Sequence, residues 1–205
     1  MRRIEALKEV LAREGLEGYI VSNKSNMYYL VGFPLGTKLF ISEKGETTLF
    51  VYKVNFEAAK DTVSVCNVRK IDYGENVDDV ISDMIKGCGL VKVGFDVMDA
   101  ETYVRISEKL KNVKLVSARD VVWRLRRKKD ENEITAIRKA SEITSKGMEK
   151  ACEILAVGMR ERDAAAEIEY ELKKLGSQGT AFEVIVASGE HSVYPHGGLK
   201  DRELK

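Results

Sequence analysis

Two prolines, two histidines, one tryptophan and three cysteines are all that 205 residues contain of these types, and the scarcities narrow what the chain can be. Cys66, Cys88 and Cys152 are odd in number, far apart in sequence and set among apolar residues. That pattern excludes a disulfide framework and a zinc site, and predicts reduced, buried thiols in a cytoplasmic protein. No stretch approaches the apolar length of a bilayer span, and the N-terminal "MRRIEALKEVLAREG" is charged throughout, without the apolar centre of a signal peptide. The expectation is a soluble, intracellular chain with no membrane partner. Net charge is missing too: 34 basic residues nearly cancel 33 acidic ones, so no overall field favours nucleic acid. The basic run "RLRRKK" (124–129) reads as a solvated helix face or a linker. There is no internal repeat or low-complexity tract. With 44% hydrophobic residues, the chain can bury a core, either in one large domain or in two small ones.

Several catalytic signatures are lacking as well. "GLVKVGFD" (89–96) has two glycines but not the Gly-x-Gly-x-x-Gly turn that admits a pyrophosphate. No Gly-x-Ser-x-Gly elbow occurs, and no histidine is placed to activate a cysteine. His191, His196, Asp201 and Glu203 lack the spacing by which a helix or strand gathers metal ligands. Asp163, Glu167 and Glu171 recur every four residues, which reads as a solvated helix face beside Arg160 and Arg162 rather than a cation site.

The periodicity gives an organisation. Ile4, Leu7, Val10 and Leu11 predict an amphipathic helix over 2–14, closed by Gly15 in the left-handed region. "GYIVS" (18–22) predicts a strand and "NKSN" (23–26) a turn, with Tyr28 and Tyr29 expected in the core. "KLFIS" and "TTLFVY" flank "EKGE", a β-hairpin with Gly45 at a positive φ. From residue 53 helices and strands alternate: "VNFEAAK", "VSVCNV", "VDDVISDMIKG", "VKVGFD", "AETYVRISEKL", "VKLVSA". This is the rhythm of a layered α/β domain ending near residue 120. "DENE" (130–133) then matches a capping box before a long helix reaching about Ala156, with Ile134, Ile137, Ala140, Ile143 and Met148 on one face. A second helix, "RDAAAEIEYELKKLG", and an apolar strand, Phe182–Ala187, follow. "YPHGG" (194–198) sets one of the two prolines against one of the two histidines, with glycines that let the backbone bend closely past something. His196 is the candidate functional side chain, ahead of His191.

In their order along the chain, "GLEGYIVSNKSNMYYLVGF", "VVWRLRRKKDENEITAIRKASEIT" and "FEVIVASGEHSVYPHGGLKDREL" resemble the Xaa-Pro peptidases, prolidase and aminopeptidase P, of the creatinase/methionine aminopeptidase superfamily. The most specific parts are the Arg-rich segment entering "ENEITAIRKA", and "VASG" followed by "PHG" and "DREL". The resemblance implies an α/β N-terminal domain with a mixed sheet at 1–125, and the first helices and strand of a pita-bread metallopeptidase domain at 126–205. It implies that His196 contacts substrate without ligating metal. It also implies a dinuclear centre of manganese, cobalt or zinc in the complete enzyme, held by two aspartates, one histidine and two glutamates. None of those five has a counterpart here, so no metal is expected in this chain, and Asp201, Arg202 and Glu203 match a turn preceding the ligands. The implied substrates are peptides with proline after the scissile bond, and the implied assembly is a homodimer. The chain alone is expected to be inactive; a non-catalytic dimerisation or binding module of the same descent is the competing expectation.

Overall fold

Six short strands, rich in β-branched and aromatic residues, form one mixed sheet in the first part of the chain. The computed structural model describes residues 2–205. Its strands are β1 (Gly18–Val21), β2 (Lys38–Ser42), β3 (Thr47–Tyr52), β4 (Asn67–Ile71), β5 (Lys92–Phe95) and β6 (Lys114–Ser117), in the order β4-β3-β2-β1-β5-β6. β1, β2 and β3 pair antiparallel; β3–β4, β1–β5 and β5–β6 pair parallel.

Because side chains alternate across a strand, the central strands feed two cores. Tyr19, Val21, Leu39, Ile41, Leu49 and Val51 pack with α1 (Arg2–Glu14), α2 (Lys24–Val31), α3 (Lys53–Thr62) and α6 (Asp120–Arg127). Ile20, Phe40, Phe50 and Val93 pack with α4 (Val77–Gly87) and α5 (Ala100–Lys109). Helices on both faces explain why the inner strands are apolar without a polar face. The expected layered α/β fold with a mixed sheet is present.

Asp96, at the end of β5, is 2% exposed and joins three elements. Its carboxylate accepts from the amides of Ser22 (2.8 Å), Asn23 (3.2 Å) and Val97 (2.6 Å), and from Asn26 Nδ2 (2.8 Å). Asn26 Oδ1 in turn accepts from Arg126 Nη1 on α6 at 2.8 Å.

The structure corrects several local expectations. Residues 23–26 do not end in a turn: Asn23 Oδ1 accepts from the Asn26 amide, so Asn23 caps α2. Tyr28 faces away from the core at 60% exposure. The β2–β3 hairpin forms, but Gly45 is not at positive φ. What requires glycine there is space, since a Cβ would approach Ser42 Oγ to 2.8 Å. The strand expected over 63–68 is shifted to β4. The basic run is carried by α6 and its exit, where the Arg127 guanidinium stacks on the Trp123 ring at 5.2 Å.

The thiols also differ. Cys88 and Cys152 are exposed, and only Cys66 is half-buried. Burial pushes the Cys66 thiol up to about 11, which starves it of the thiolate that reacts. With an aromatic disulfide reagent, Cys88 and Cys152 are expected to titrate in the folded chain, and Cys66 only after denaturant is added. Prompt modification of all three without denaturant would contradict this.

The chain divides between Lys128 and Lys129 into two compact units. The second contains α7 (Glu131–Ile154), α8 (Glu161–Lys174) and a 3₁₀ turn at Gly189–Val193. The capping box is present: Asp130 accepts from the Glu133 amide at 2.9 Å, and Glu133 accepts from the Asp130 amide at 3.0 Å. α7 and α8 pack closely at Gly147, where a Cβ would lie 2.5 Å from Leu172 Cδ2. On the expected apolar face of α7, Ile137 and Met148 are exposed.

The strand expected at Phe182–Ala187 is not formed. The segment runs without a ladder partner among the described residues, and Phe182 is 76% exposed. A strand needs a neighbour to receive its amides and carbonyls. In this unit the bridge-type pairing recorded lies elsewhere, between Arg160 and Glu203.

Candidate functional site

Residues 188–204 fold back onto the start of α8. The Glu161 amide donates to the Arg202 carbonyl (3.0 Å), Leu204 to Met159 (2.8 Å) and Gly158 to Leu204 (2.9 Å). Between these anchors the chain makes the 3₁₀ turn and the "YPHGG" bend. The Tyr194 amide donates to the His191 carbonyl at 3.1 Å, and the Gly197 amide to the Tyr194 carbonyl at 3.2 Å. This bend walls a cavity of about 470 Å³ lined by His191, Tyr194, Pro195, His196, Gly197 and Lys200.

The two histidines differ in kind. His196 is exposed and is one of the residues that line the cavity. His191 is 8% exposed, and its Nδ1 lies 2.8 Å from Glu161 Oε2, while its Nε2 lies 3.3 Å from the Gly197 carbonyl. Glu161, the first residue of α8, is fully buried. Its Oε1 accepts from the Ser188 amide (2.8 Å) and hydroxyl (3.0 Å). Burial alone would raise this carboxyl, but the Ser188 and His191 hydrogen bonds outweigh it and hold the group below the ordinary carboxylate range.

The sequence ranked His196 above His191 and gave Glu161 no role. His191 and Glu161 are thirty residues apart, with no periodicity linking them; only the rarity of histidine hinted at either ring.

The remaining candidate carboxylates disperse. Asp201 pairs with Arg162 at 2.8 Å, and Asp163 with Arg160 at 2.7 Å. Arg160 hydrogen bonding holds the Asp163 carboxyl low. Glu171 pairs with Lys174 at 3.1 Å, and Glu167 is exposed, so the row on α8 is a solvated face. Glu203 pairs with Arg160 through the backbone, at the end of the chain that folds back onto α8. Among the described residues no three His, Cys, Asp or Glu side chains converge as metal ligands. What the cavity can do is bind a small polar group: His196 can donate to a carbonyl or oxyanion, and Lys200 adds positive charge.

Comparison with known proteins gives this geometry a family. The creatinase/prolidase N-terminal domain matches residues 3–128, and metallopeptidase family M24 matches residues 135–205. The Xaa-Pro dipeptidase of Pyrococcus furiosus is 31% identical over 205 residues, covering 99% of this chain and 57% of that protein. Among solved structures, the prolidase of Pyrococcus horikoshii superposes with a TM-score of 0.88 at 27% identity, covering 100% of this chain and 58% of the other. The X-Pro aminopeptidase of Thermotoga maritima superposes with a TM-score of 0.85 at 27% identity, covering 98% and 57%. The chain thus spans a little over half the length of the relatives it matches. With one model spanning the sheet unit and a match to metallopeptidase family M24 beginning within α7, the chain belongs to the creatinase/prolidase N-terminal domain family.

Proposed function

We propose that this chain is the N-terminal portion of a dinuclear-metal Xaa-Pro peptidase, dipeptidase or aminopeptidase, that hydrolyses the peptide bond preceding proline. The supporting observation is the cavity at "YPHGG": an exposed imidazole on a glycine-flexed bend, in the segment matched to family M24. In this reading residues 1–125 are the N-terminal domain and 126–205 open the catalytic domain. The metals, manganese, cobalt or zinc, supply an activated water when bound. This chain's own contribution is to receive the substrate. His196 donates a hydrogen bond to the carbonyl being attacked and strengthens it as negative charge develops on that oxygen. A homodimer and a cytoplasmic location belong to the same proposal, the latter supported by three unpaired cysteines.

The test compares the 205-residue chain with a polypeptide extended to the length of its relatives, each assayed on Xaa-Pro dipeptides and longer Xaa-Pro peptides with added manganese, cobalt or zinc. The extended form is expected to cleave before proline, and the 205-residue chain to leave every peptide intact. An extended, metal-loaded form inert on all of them would overturn the proposal, as would turnover by the short chain.

A further inference from the structure

We infer that Glu161 is a positioning residue: its buried side chain closes the neck of the loop that carries His196. The loop leaves this neck at Ser188 and returns to it at Arg202, and both feet stand on Glu161. Its Oε1 accepts from the Ser188 amide at 2.8 Å and from the Ser188 hydroxyl at 3.0 Å, while its own amide donates to the Arg202 carbonyl at 3.0 Å. An amide N–H can only donate, so the bond from Ser188 asks nothing of Glu161 beyond an acceptor oxygen in that place. The two feet also meet each other: a Cβ at Gly189 would lie 2.5 Å from Arg202 Nη2. A compact surface loop whose ends touch is of the Ω type, held at its neck.

The two feet are not held equally. Among the described residues, the hydrogen bonds that join residues 179–200 to α8 all end on the Glu161 side chain. The outgoing foot has further backbone bonds, from Leu204 to Met159 and from Gly158 to Leu204. Removing the Glu161 side chain therefore frees the incoming foot and leaves the other tied. His196 is placed from the foot that is freed. The His191 amide donates to the Ser188 carbonyl, the Tyr194 amide to the His191 carbonyl and the Gly197 amide to the Tyr194 carbonyl, so three successive turns carry the position of Ser188 to the histidine.

A glutamate in the first turn of a helix ordinarily serves the helix itself, by opposing its dipole. Glu161 is placed otherwise: it is fully buried, and its oxygens meet Ser188 and His191 rather than the amides of its own helix. Asp163 already supplies a carboxylate to the same turn. What Glu161 adds is reach. Two substitutions separate reach from charge. Glu161→Asp keeps the carboxylate but is one methylene short of Ser188, whereas Glu161→Gln keeps the length and a carbonyl oxygen without the charge.

Hydrogen exchange on the 205-residue chain tests the neck. In the wild type the Ser188 amide is expected to exchange at least about tenfold more slowly, after correction for intrinsic rates, than the amides of Phe182–Ala187, which lack a ladder partner. Glu161→Ala and Glu161→Asp should erase that protection, and Glu161→Gln should keep most of it. Amides within α7 should stay protected in all three, which shows that the unit remains folded. Equal exchange at Ser188 and at Phe182–Ala187 in the wild type would overturn the inference without any variant. Protection kept by Glu161→Asp and lost by Glu161→Gln would overturn it too, by showing that charge and not reach closes the loop.

The bearing of the neck on hydrolysis rests on the role proposed for His196. In a polypeptide extended to the length of its relatives, assayed on an Xaa-Pro dipeptide with manganese, Glu161→Ala is expected to lower kcat about 10-fold to 100-fold, as a displaced group at a reacting centre does, with KM and metal content little changed. Glu161→Gln should recover most of that loss and Glu161→Asp little of it. Full turnover by Glu161→Ala would overturn the positioning role. An extended wild type without turnover would instead overturn the peptidase reading, and exchange at Ser188 would still decide whether Glu161 closes the loop.

Discussion

Replacing His196 with alanine, in a polypeptide extended to the length of its relatives, is expected to lower turnover of Xaa-Pro peptides by roughly 30-fold to 1000-fold, or about 2–4 kcal/mol of transition-state stabilisation. The expectation follows from its exposed position at the cavity wall. A donor that meets the substrate oxygen contributes most when that oxygen becomes an anion, so kcat should fall more than KM rises. His196→Gln, which keeps an N–H donor at a similar reach on a more flexible arm, should recover part of the loss. Metal content, measured by elemental analysis, should be unchanged by either substitution. An alanine variant that loses its metals would show His196 to be a ligand; one that retains full turnover would remove it from the mechanism.

His191 enters differently, and the contrast explains what could be read from residue order. His196 stands out in the sequence because its neighbours are unusual: proline before it and two glycines after. His191 acquires its surroundings only when residues 188–204 fold back onto Glu161. No local pattern encodes a contact thirty residues away. The same distinction holds for the fold. α1, α4, α5 and the β2–β3 hairpin follow from periodicity and turn chemistry within each segment, and appear where expected. Errors came where a local signal was real but its tertiary meaning differed. Asn23 favours caps and turns alike, and the cap won because a helix follows it. Phe182–Ala187 has the composition of a strand, but pairing is not a property of one segment, and no neighbour among the described residues receives its backbone. Apolar neighbours in sequence likewise said nothing about burial of Cys88 or Cys152: the fold leaves Cys88 in the turn just past α4 and Cys152 on an exposed part of α7.

Asp96 shows the converse, a residue with no sequence signature and a large expected effect. Asp96→Ala should destabilise the sheet unit by about 3–5 kcal/mol, since it removes the acceptor for four donors at once. Two of these, the amides of Ser22 and Asn23, carry the chain from β1 into α2. A third, Asn26 Nδ2, belongs to the side chain that Arg126 of α6 holds from its other end. Without the carboxylate, the end of β1, the start of α2 and the docking of α6 lose a common anchor. Asp96→Asn keeps one acceptor oxygen but turns an NH₂ toward donors, so it should lie between wild type and alanine. The measurement is favoured by the single tryptophan, Trp123, which sits on α6 beneath Arg127 and reports on this unit. Urea unfolding followed by its fluorescence should show a lower midpoint with an unchanged slope. A shift smaller than about 1 kcal/mol would mean that water replaces the carboxylate at little cost, and that β1, α2 and α6 are held together by their apolar contacts instead.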